Sequence, residues 1–157
     1  VLRNATVDDM QQYFDWANDE LVRQNSINTK IIGWDEHQKW FNNKLNSSSS
    51  FLYLAENKQS RIGQVRFDCE NSEATINYSI SIDYRGLGLG KEILKQAIEK
   101  ISQDCLYIKI IKAKVKISNI ASNKILIRLG FVERDKTKQT AVYQLALSDV
   151  DTFFKLN

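Results

Sequence analysis

The run Arg85-Gly86-Leu87-Gly88-Leu89-Gly90-Lys91 is the densest set of residues able to do chemistry. Glycines at alternate positions let backbone amides converge on one anion, a helix beginning there adds its positive end, and Arg85 and Lys91 add charge. That combination describes a cradle for a pyrophosphate. The spacing is neither the GxxxxGK[ST] of a P-loop nor the GxGxxG of a Rossmann turn, and on spacing alone a tight strand-to-helix turn is the alternative. His37 is the sole histidine. Its ordinary pKa of about 6.5 suits a general base, although a lone histidine also serves as a packed or surface residue. One histidine and two distant cysteines, Cys69 and Cys105, supply too few ligands for a structural zinc site, so no metal is expected and both thiols are read as reduced and buried.

These groups need elements to hold them. Ala74 to Ile82 alternates, with Ile76, Tyr78, Ile80 and Ile82 on one side, and reads as the strand that leads into the glycines. From Gly88 the period becomes helical, with Ile93, Leu94, Ala97, Ile98 and Ile101 on one face, before Tyr107 to Val115 returns to a strand. Upstream, Phe51 to Glu56 and Ile62 to Phe67 flank a polar turn and complete an antiparallel meander. Thr6, Asp8 and Asp9 open a helix bearing Met10, Tyr13, Phe14 and Ala17, and Gly33 precedes a second bearing Trp34, Trp40, Phe41 and Leu45. Arg23 to Ile32, between them, reads as a polar loop. Asn119 caps a further helix through Leu129, Gly130 breaks it, Phe131 to Glu133 is extended, and Thr140 to Leu147 is a last strand before a tail with Phe153 and Phe154. This order predicts an α+β (mixed α/β) fold: a mixed sheet covered by helices, with a right-handed parallel crossover across residues 74–115.

Bulk properties narrow the function classes. A chain of 157 residues, 43% hydrophobic, fits one domain over residues 1–157. No apolar run approaches the roughly 18 to 20 residues that span a bilayer, and the N-terminus lacks the apolar stretch of a secretory signal, so a cytoplasmic location is expected. A net charge of +3, from 22 Lys and Arg against 19 Asp and Glu, is too small for a nucleic-acid-binding field. The expected partner is a small molecule, not a nucleic acid or a membrane, and the expected state is a monomer or homodimer.

Arg85-x-x-Gly88-x-Gly90 resembles the Q/R-x-x-G-x-G/A acetyl-CoA signature of the GNAT superfamily of N-acetyltransferases. Asn119-Ile120-Ala121-Ser122 and Leu129-Gly130-Phe131 resemble its second motif, a helix that flanks the pantetheine arm and ends in Gly-Phe, and the likeness covers Leu2 to Leu147. The resemblance implies a GNAT fold, a central twisted mixed sheet with helices on both faces. Its fourth and fifth strands, here Ala74 to Ile82 and Tyr107 to Val115, splay into a V that admits acetyl-CoA. It implies that main-chain groups of Ile80 and Ile82 pair with the pantetheine and that the amides from Arg85 to Lys91 hold the pyrophosphate. Asn119 and Ser122 would contact the cofactor arm, and a backbone N–H near Ile80 would polarise the thioester carbonyl. Many members place their general acid, a Tyr, four residues before the Gly of Gly-Phe. That position is Leu126 here, which leaves Ser122, Tyr78 or a bound water as substitutes. Asn77 and Ser79 stand where relatives carry a Glu base, and could position a water.

The runs Phe14 to Asp19, Val22 to Ser26, Glu36 to Phe41 and Gly63 to Asp68 are similar to a narrower group. Its members acetylate nucleotide-linked deoxy-amino sugars, as in the pseudaminic acid pathway of bacterial surface glycan synthesis. That resemblance implies an amine acceptor of this kind in a pocket lined by Asn25, Ser26, Asn28, His37, Trp40 and Arg66. Arg66 would pair with a diphosphate, and Trp16 or Trp40 would stack on a sugar or base. On the residues alone, Trp16, Trp34 and Trp40 also suit a core, Asp68 a strand end, and Lys109, Lys112, Lys114 and Lys116 a solvated edge or a 3'-phosphate contact. Two other functions compete: a peptide or ribosomal-protein N-terminal acetyltransferase, and a non-catalytic acyl-CoA-binding module, the latter motivated by Leu126.

Overall fold

The structure, a computed structural model, describes residues 1–150, so the expected tail with Phe153 and Phe154 lies outside the described residues. Seven strands form one sheet: β1 (Leu2–Asn4), β2 (Ser50–Glu56), β3 (Arg61–Glu70), β4 (Glu73–Ile80), β5 (Ile110–Lys116), β6 (Val132–Lys136) and β7 (Thr140–Ala146). Their order is β1-β2-β3-β4-β5-β7-β6. The helices are α1 (Met10–Ala17), α2 (Glu20–Asn25), α3 (Trp34–Leu45), α4 (Leu89–Asp104) and α5 (Ile120–Arg128). The expected mixed sheet under helices is what forms, and α4 makes the parallel crossover from β4 to β5.

Register assigns each side chain to a face. Tyr53 lies opposite Val65, which lies opposite Tyr78, and Phe67 lies opposite Ile76. This face packs on α4 through Ile93, Leu94, Ala97, Ile98 and Ile101, and on α5 through Leu126. On the other face Leu54 aligns with Gln64 and Ser79, and Leu52 with Arg66 and Asn77. There Leu52 and Leu54 pack with Met10, Tyr13 and Trp16 of α1 and Phe41 of α3. The second face turns polar from β3 onward, with Gln64, Arg66 and Asp68 on β3 and Asn77 and Ser79 on β4.

β4 and β5 pair over only three positions, Glu73 with Ile110, Ala74 with Ile111 and Thr75 with Lys112. Past Thr75 the two strands separate, while β4 stays on β3 as far as Ile80 and β5 stays on β7 as far as Lys116. Gly63, opposite Ile80, holds β4 close, since a Cβ there would run into the Ser79 carbonyl oxygen.

Several boundaries differ from the sequence reading. β1 adds a strand at the sheet edge where only a short apolar start was read. The first residues of the expected loop belong to α2, nucleated by Asp19, whose side chain accepts from the Val22 amide. β4 ends at Ile80 rather than Ile82, in a 3-10 turn over Ile82–Tyr84, and β5 begins at Ile110 because Leu106 and Tyr107 are exposed. Within the lysine run Lys109 and Lys114 are exposed, as the solvated reading expects, whereas Lys112 pairs with Glu73 at 2.6 Å, Lys116 donates to the Gln24 carbonyl, and β5 is interior in the strand order. Cys69 and Cys105 are free and buried. Among the described residues no helix is long and apolar enough to cross a membrane.

Asp9 ties the sheet edge to α1. It accepts from Arg3 at 2.7 and 3.0 Å and from the Thr6 amide at 2.9 Å, while Arg3 also reaches Glu56 at 2.8 Å. Burial favours the neutral acid, yet the Arg3 bonds and the Thr6 amide together hold its pKa below the ordinary carboxylate range. A depressed folded pKa contributes stability above the unfolded value, about 3.9, and loses it as pH falls through the folded one. Urea denaturation should therefore find Asp9→Asn about 3 kcal/mol less stable at pH 7, with the deficit shrinking below about pH 4.

Candidate functional site

A cavity of about 1030 Å³ opens along the split between β4 and β5. That is at the top of the roughly 300–1,000 Å³ usual for small-molecule pockets, room for a large ligand or two smaller ones.

Its first wall is the glycine loop. Gly86 and Gly88 take φ values of 74° and 76°, in the left-handed region, with open space where a side chain would stand. Gly88 is the N-cap of the sixteen-residue α4, so the loop amides lie at the positive end of a long helix. Gly90 lets α4 approach α5, since a Cβ there would sit 2.9 Å from Ile125 Cδ1. Lys91, Lys124 and Arg128 line the same cavity. Arg85 is engaged elsewhere: Nε donates to the Ile80 carbonyl at 2.9 Å, and Nη2 donates to Asp19 Oδ1 at 2.7 Å. The same oxygen caps α2.

The second wall carries a pair of hydroxyls. Tyr78 on β4 donates to Ser122 Oγ at 2.9 Å. Burial raises the phenol's pKa, only partly offset by the Ser122 bond, so the hydroxyl stays protonated through the neutral range. Asn119 Oδ1 accepts from the Ser122 amide at 3.2 Å, which sets Ser122 in the first turn of α5. Leu126, one turn on, is fully buried in the core. A hydroxyl from the facing strand, that of Tyr78, thus lies against the first turn of α5.

The third wall lies across the sheet. Arg23 organises it, donating to the carbonyls of Ala17, Asn28 and Lys30 and to Ser26 Oγ, with no carboxylate among the described residues on it. Burial lowers its pKa. Arg66 lies 5.0 Å from the Trp40 ring centroid and binds Asp68 at 3.0 Å, and Asp68 also holds Lys44 and Ser50. Asp68 is therefore the hub of a network rather than a mere strand end. His37 is 2% exposed among the rings of Phe14, Trp34, Trp40 and Phe41. Its Nε2 lies 2.9 Å from the Met10 carbonyl oxygen and must donate there, which makes Nδ1 the acceptor. Burial lowers the imidazole's pKa despite that bond, keeping it neutral at pH 7.

Charge on the lining is one-sided. Arg23, Lys30, Arg66, Arg85, Lys91, Lys114, Lys124 and Arg128 all line the cavity. Glu36 is the single carboxylate among the described lining residues.

Asn25, Ser26, Asn28, His37, Trp40, Arg66, Tyr78, Ile80, Asn119 and Ser122 all line this one cavity, as do Arg85, Gly86, Gly88, Leu89, Gly90 and Lys91. Ile82 and Leu87 do not; both side chains point to solvent, 67% and 64% exposed. Trp16 is buried in the α1 core and still reaches the lining. Sequence reasoning missed Gln64, Arg23, Glu36 and Asp19. Only Gln64 left a signal, its two-residue spacing from Arg66 on a strand.

A family model described as an acetyltransferase (GNAT) domain matches residues 1–132. A search of curated proteins finds no match. Among solved structures, spermidine N-acetyltransferase from Vibrio cholerae, in complex with CoA and spermine, superposes with a TM-score of 0.85 at 15% identity, covering 96% of each chain. A domain from Methanocaldococcus jannaschii superposes with a TM-score of 0.78 at 19% identity, covering 93% of this chain and 97% of that one.

The Arg85 to Asp19 bond joins the first wall to the third. Arg85→Ala should leave the sheet intact and loosen α2, seen as at least tenfold faster amide hydrogen exchange at Val22 and Arg23.

Proposed function

Because the chain belongs to the GNAT acetyltransferase family, we propose that it transfers acetyl from acetyl-CoA to the primary amine of a small anionic acceptor, of the nucleotide-linked amino-sugar class that serves surface polysaccharide synthesis. Acetyl-CoA supplies the activated acetyl group. Residues present suit it: the left-handed glycines leave the loop open to a pyrophosphate, and Lys91, Lys124 and Arg128 stand beside it. Backbone groups at Ile80 lie on the open edge of β4, where an oxyanion donor belongs, and Asn119 and Ser122 flank the split.

Tyr78, held by Ser122, keeps the proton destined for the departing thiolate. His37, neutral and with Nδ1 as acceptor, is the proposed base for the amine proton. Trp40 offers its face to a sugar or base, and Arg66 and Arg23 offer charge to a diphosphate.

The charge balance of the lining carries the choice of acceptor. A polyamine, the acceptor named for the Vibrio cholerae protein, is the competing reading. It would bring several ammonium groups against Arg23 and Lys30, with Glu36 the one carboxylate on the lining and Asp68 behind it already engaged by Arg66 and Lys44. Like charges in a partly desolvated cavity repel, so this lining opposes a polycation and attracts phosphates.

Thiol release from acetyl-CoA with a panel of a nucleotide-linked amino sugar, spermidine and a peptide with a free N-terminus tests the assignment. The nucleotide-linked sugar should exceed spermidine by about 100-fold in kcat/KM, equivalent to about 2.7 kcal/mol; preference for spermidine or the peptide would overturn it. On the preferred acceptor, Tyr78→Phe should lower kcat by about 100-fold while the acetyl-CoA thermal shift persists. His37→Gln, which can still donate to Met10, should lower kcat at least tenfold and remove the acid limb, which lies below about pH 6.5 because the pKa is lowered.

A further inference from the structure

Gln64 sits on β3, 9% exposed and on the cavity lining. Its Nε2 donates to Asn77 Oδ1 at 3.2 Å and to Ser79 Oγ at 3.3 Å. Its Oε1 has no partner, the one such buried side-chain nitrogen or oxygen among the described residues. Buried polar atoms are bonded in more than about nine cases in ten. An acceptor left bare on a cavity wall therefore matches a donor that comes from outside the chain.

Position says which donor. Gln64 is aligned with Ser79, the residue before β4 ends at Ile80, so it stands one strand from the open edge where the acetyl group is proposed to lie. It is on the face that carries Arg66, Asn77 and the α1 and α3 core, opposite the face of Tyr78 and α5. A ligand reaching Oε1 thus enters from the wall of Arg23, Trp40 and Arg66. The donor that every acceptor of this reaction brings is its amine N–H.

We infer that Gln64 Oε1 accepts a hydrogen bond from the reacting amine and fixes where its nitrogen stands, an inference that rests on the N-acetyltransfer reading but not on which amine is used. Gln64 takes only a hydrogen bond; no proton or electron pair passes to it. A neutral carboxamide suits the task better than a carboxylate, which would favour the ammonium form and withhold the lone pair needed for attack. Arg66, two residues along the same face, disfavours the ammonium in the same direction.

Gln64→Leu and Gln64→Glu in the full chain test this, on acetyl-CoA and on whichever amine of the panel the wild type turns over fastest. Gln64→Leu should lower acceptor kcat/KM and calorimetric acceptor affinity at least tenfold, with acetyl-CoA KM and thermal shift within twofold of wild type. Gln64→Glu keeps an acceptor oxygen and should keep acceptor affinity within about threefold, but shift the rate profile to higher pH because its charge raises the amine's pKa. Unchanged acceptor affinity and kcat/KM in Gln64→Leu would overturn the inference, as would loss of the acetyl-CoA shift together with acceptor binding. Failure of the nucleotide-sugar reading appears separately, as a wild type that prefers another amine.

Discussion

A sheet whose middle two strands stop pairing after three positions has to account for the backbone groups it exposes, because bare N–H and C=O groups inside a protein are costly. β4 past Thr75 and β5 past Lys112 keep their outer partners and lose each other. Most of the structure serves to keep that split open. α4 and α5 pack on one side through Ile98, Leu94 and Leu126, and β7 and β3 clamp the two strands from outside. Arg85 reaches back to the Ile80 carbonyl at the tip of β4, so one of the exposed acceptors is satisfied by the loop that begins the cradle. The rest of that edge carries backbone groups with no strand partner, which suits the pantetheine arm of the proposed acetyl-CoA.

That split also explains how two ligands of different kinds can meet. Side chains alternate along a strand, so Tyr78 and Ser79 are neighbours in sequence and lie on opposite faces of the sheet. Tyr78 and Ser122 hold a proton on the α5 face, and Gln64 and Ser79 form a polar strip on the α1 and α3 face. A gap between strands is the one place where groups from both faces approach a common point. In the proposed acyl transfer the donor for the leaving sulfur and the acceptor for the incoming nitrogen stand on opposite sides of the carbonyl carbon, as Tyr78 and Gln64 stand on opposite faces of the sheet.

Much of this was legible in the sequence, and the parts that were not share a cause. The glycine run, the Asn119 cap and the amphipathic α4 are local: their spacing alone dictates a turn, a cap and a buried stripe, and each stands where it was read. What escaped depends on register. Gln64 reads as an ordinary strand residue until its alignment with Ser79 is known, and nothing local to Asp19 shows that Arg85, 66 residues away, is placed against it. Arg85 itself was read as a charge for the pyrophosphate, whereas its guanidinium is bonded to Ile80 and Asp19. The lysines of β5 read as an edge because alternation along one strand does not reveal whether another strand lies beside it.

Leu126, where the family resemblance places a tyrosine, bears on the proton donor proposed above. Position 126 faces the core, where a hydroxyl would need a partner and an aliphatic side chain does not. Tyr78 has its body among apolar neighbours and only its hydroxyl at Ser122, so the same strand residue fills the core and presents the proton. Burial then acts in the useful direction, since it raises the phenol's pKa and keeps the proton in place until a thiolate appears. Ser122 links the two, held by the Asn119 cap that was already part of the helix start. The proposed proton donor depends on one strand and one helix cap rather than on a residue in the last turn of α5. The leucine at 126 is therefore compatible with catalysis, and gives no support to a non-catalytic module.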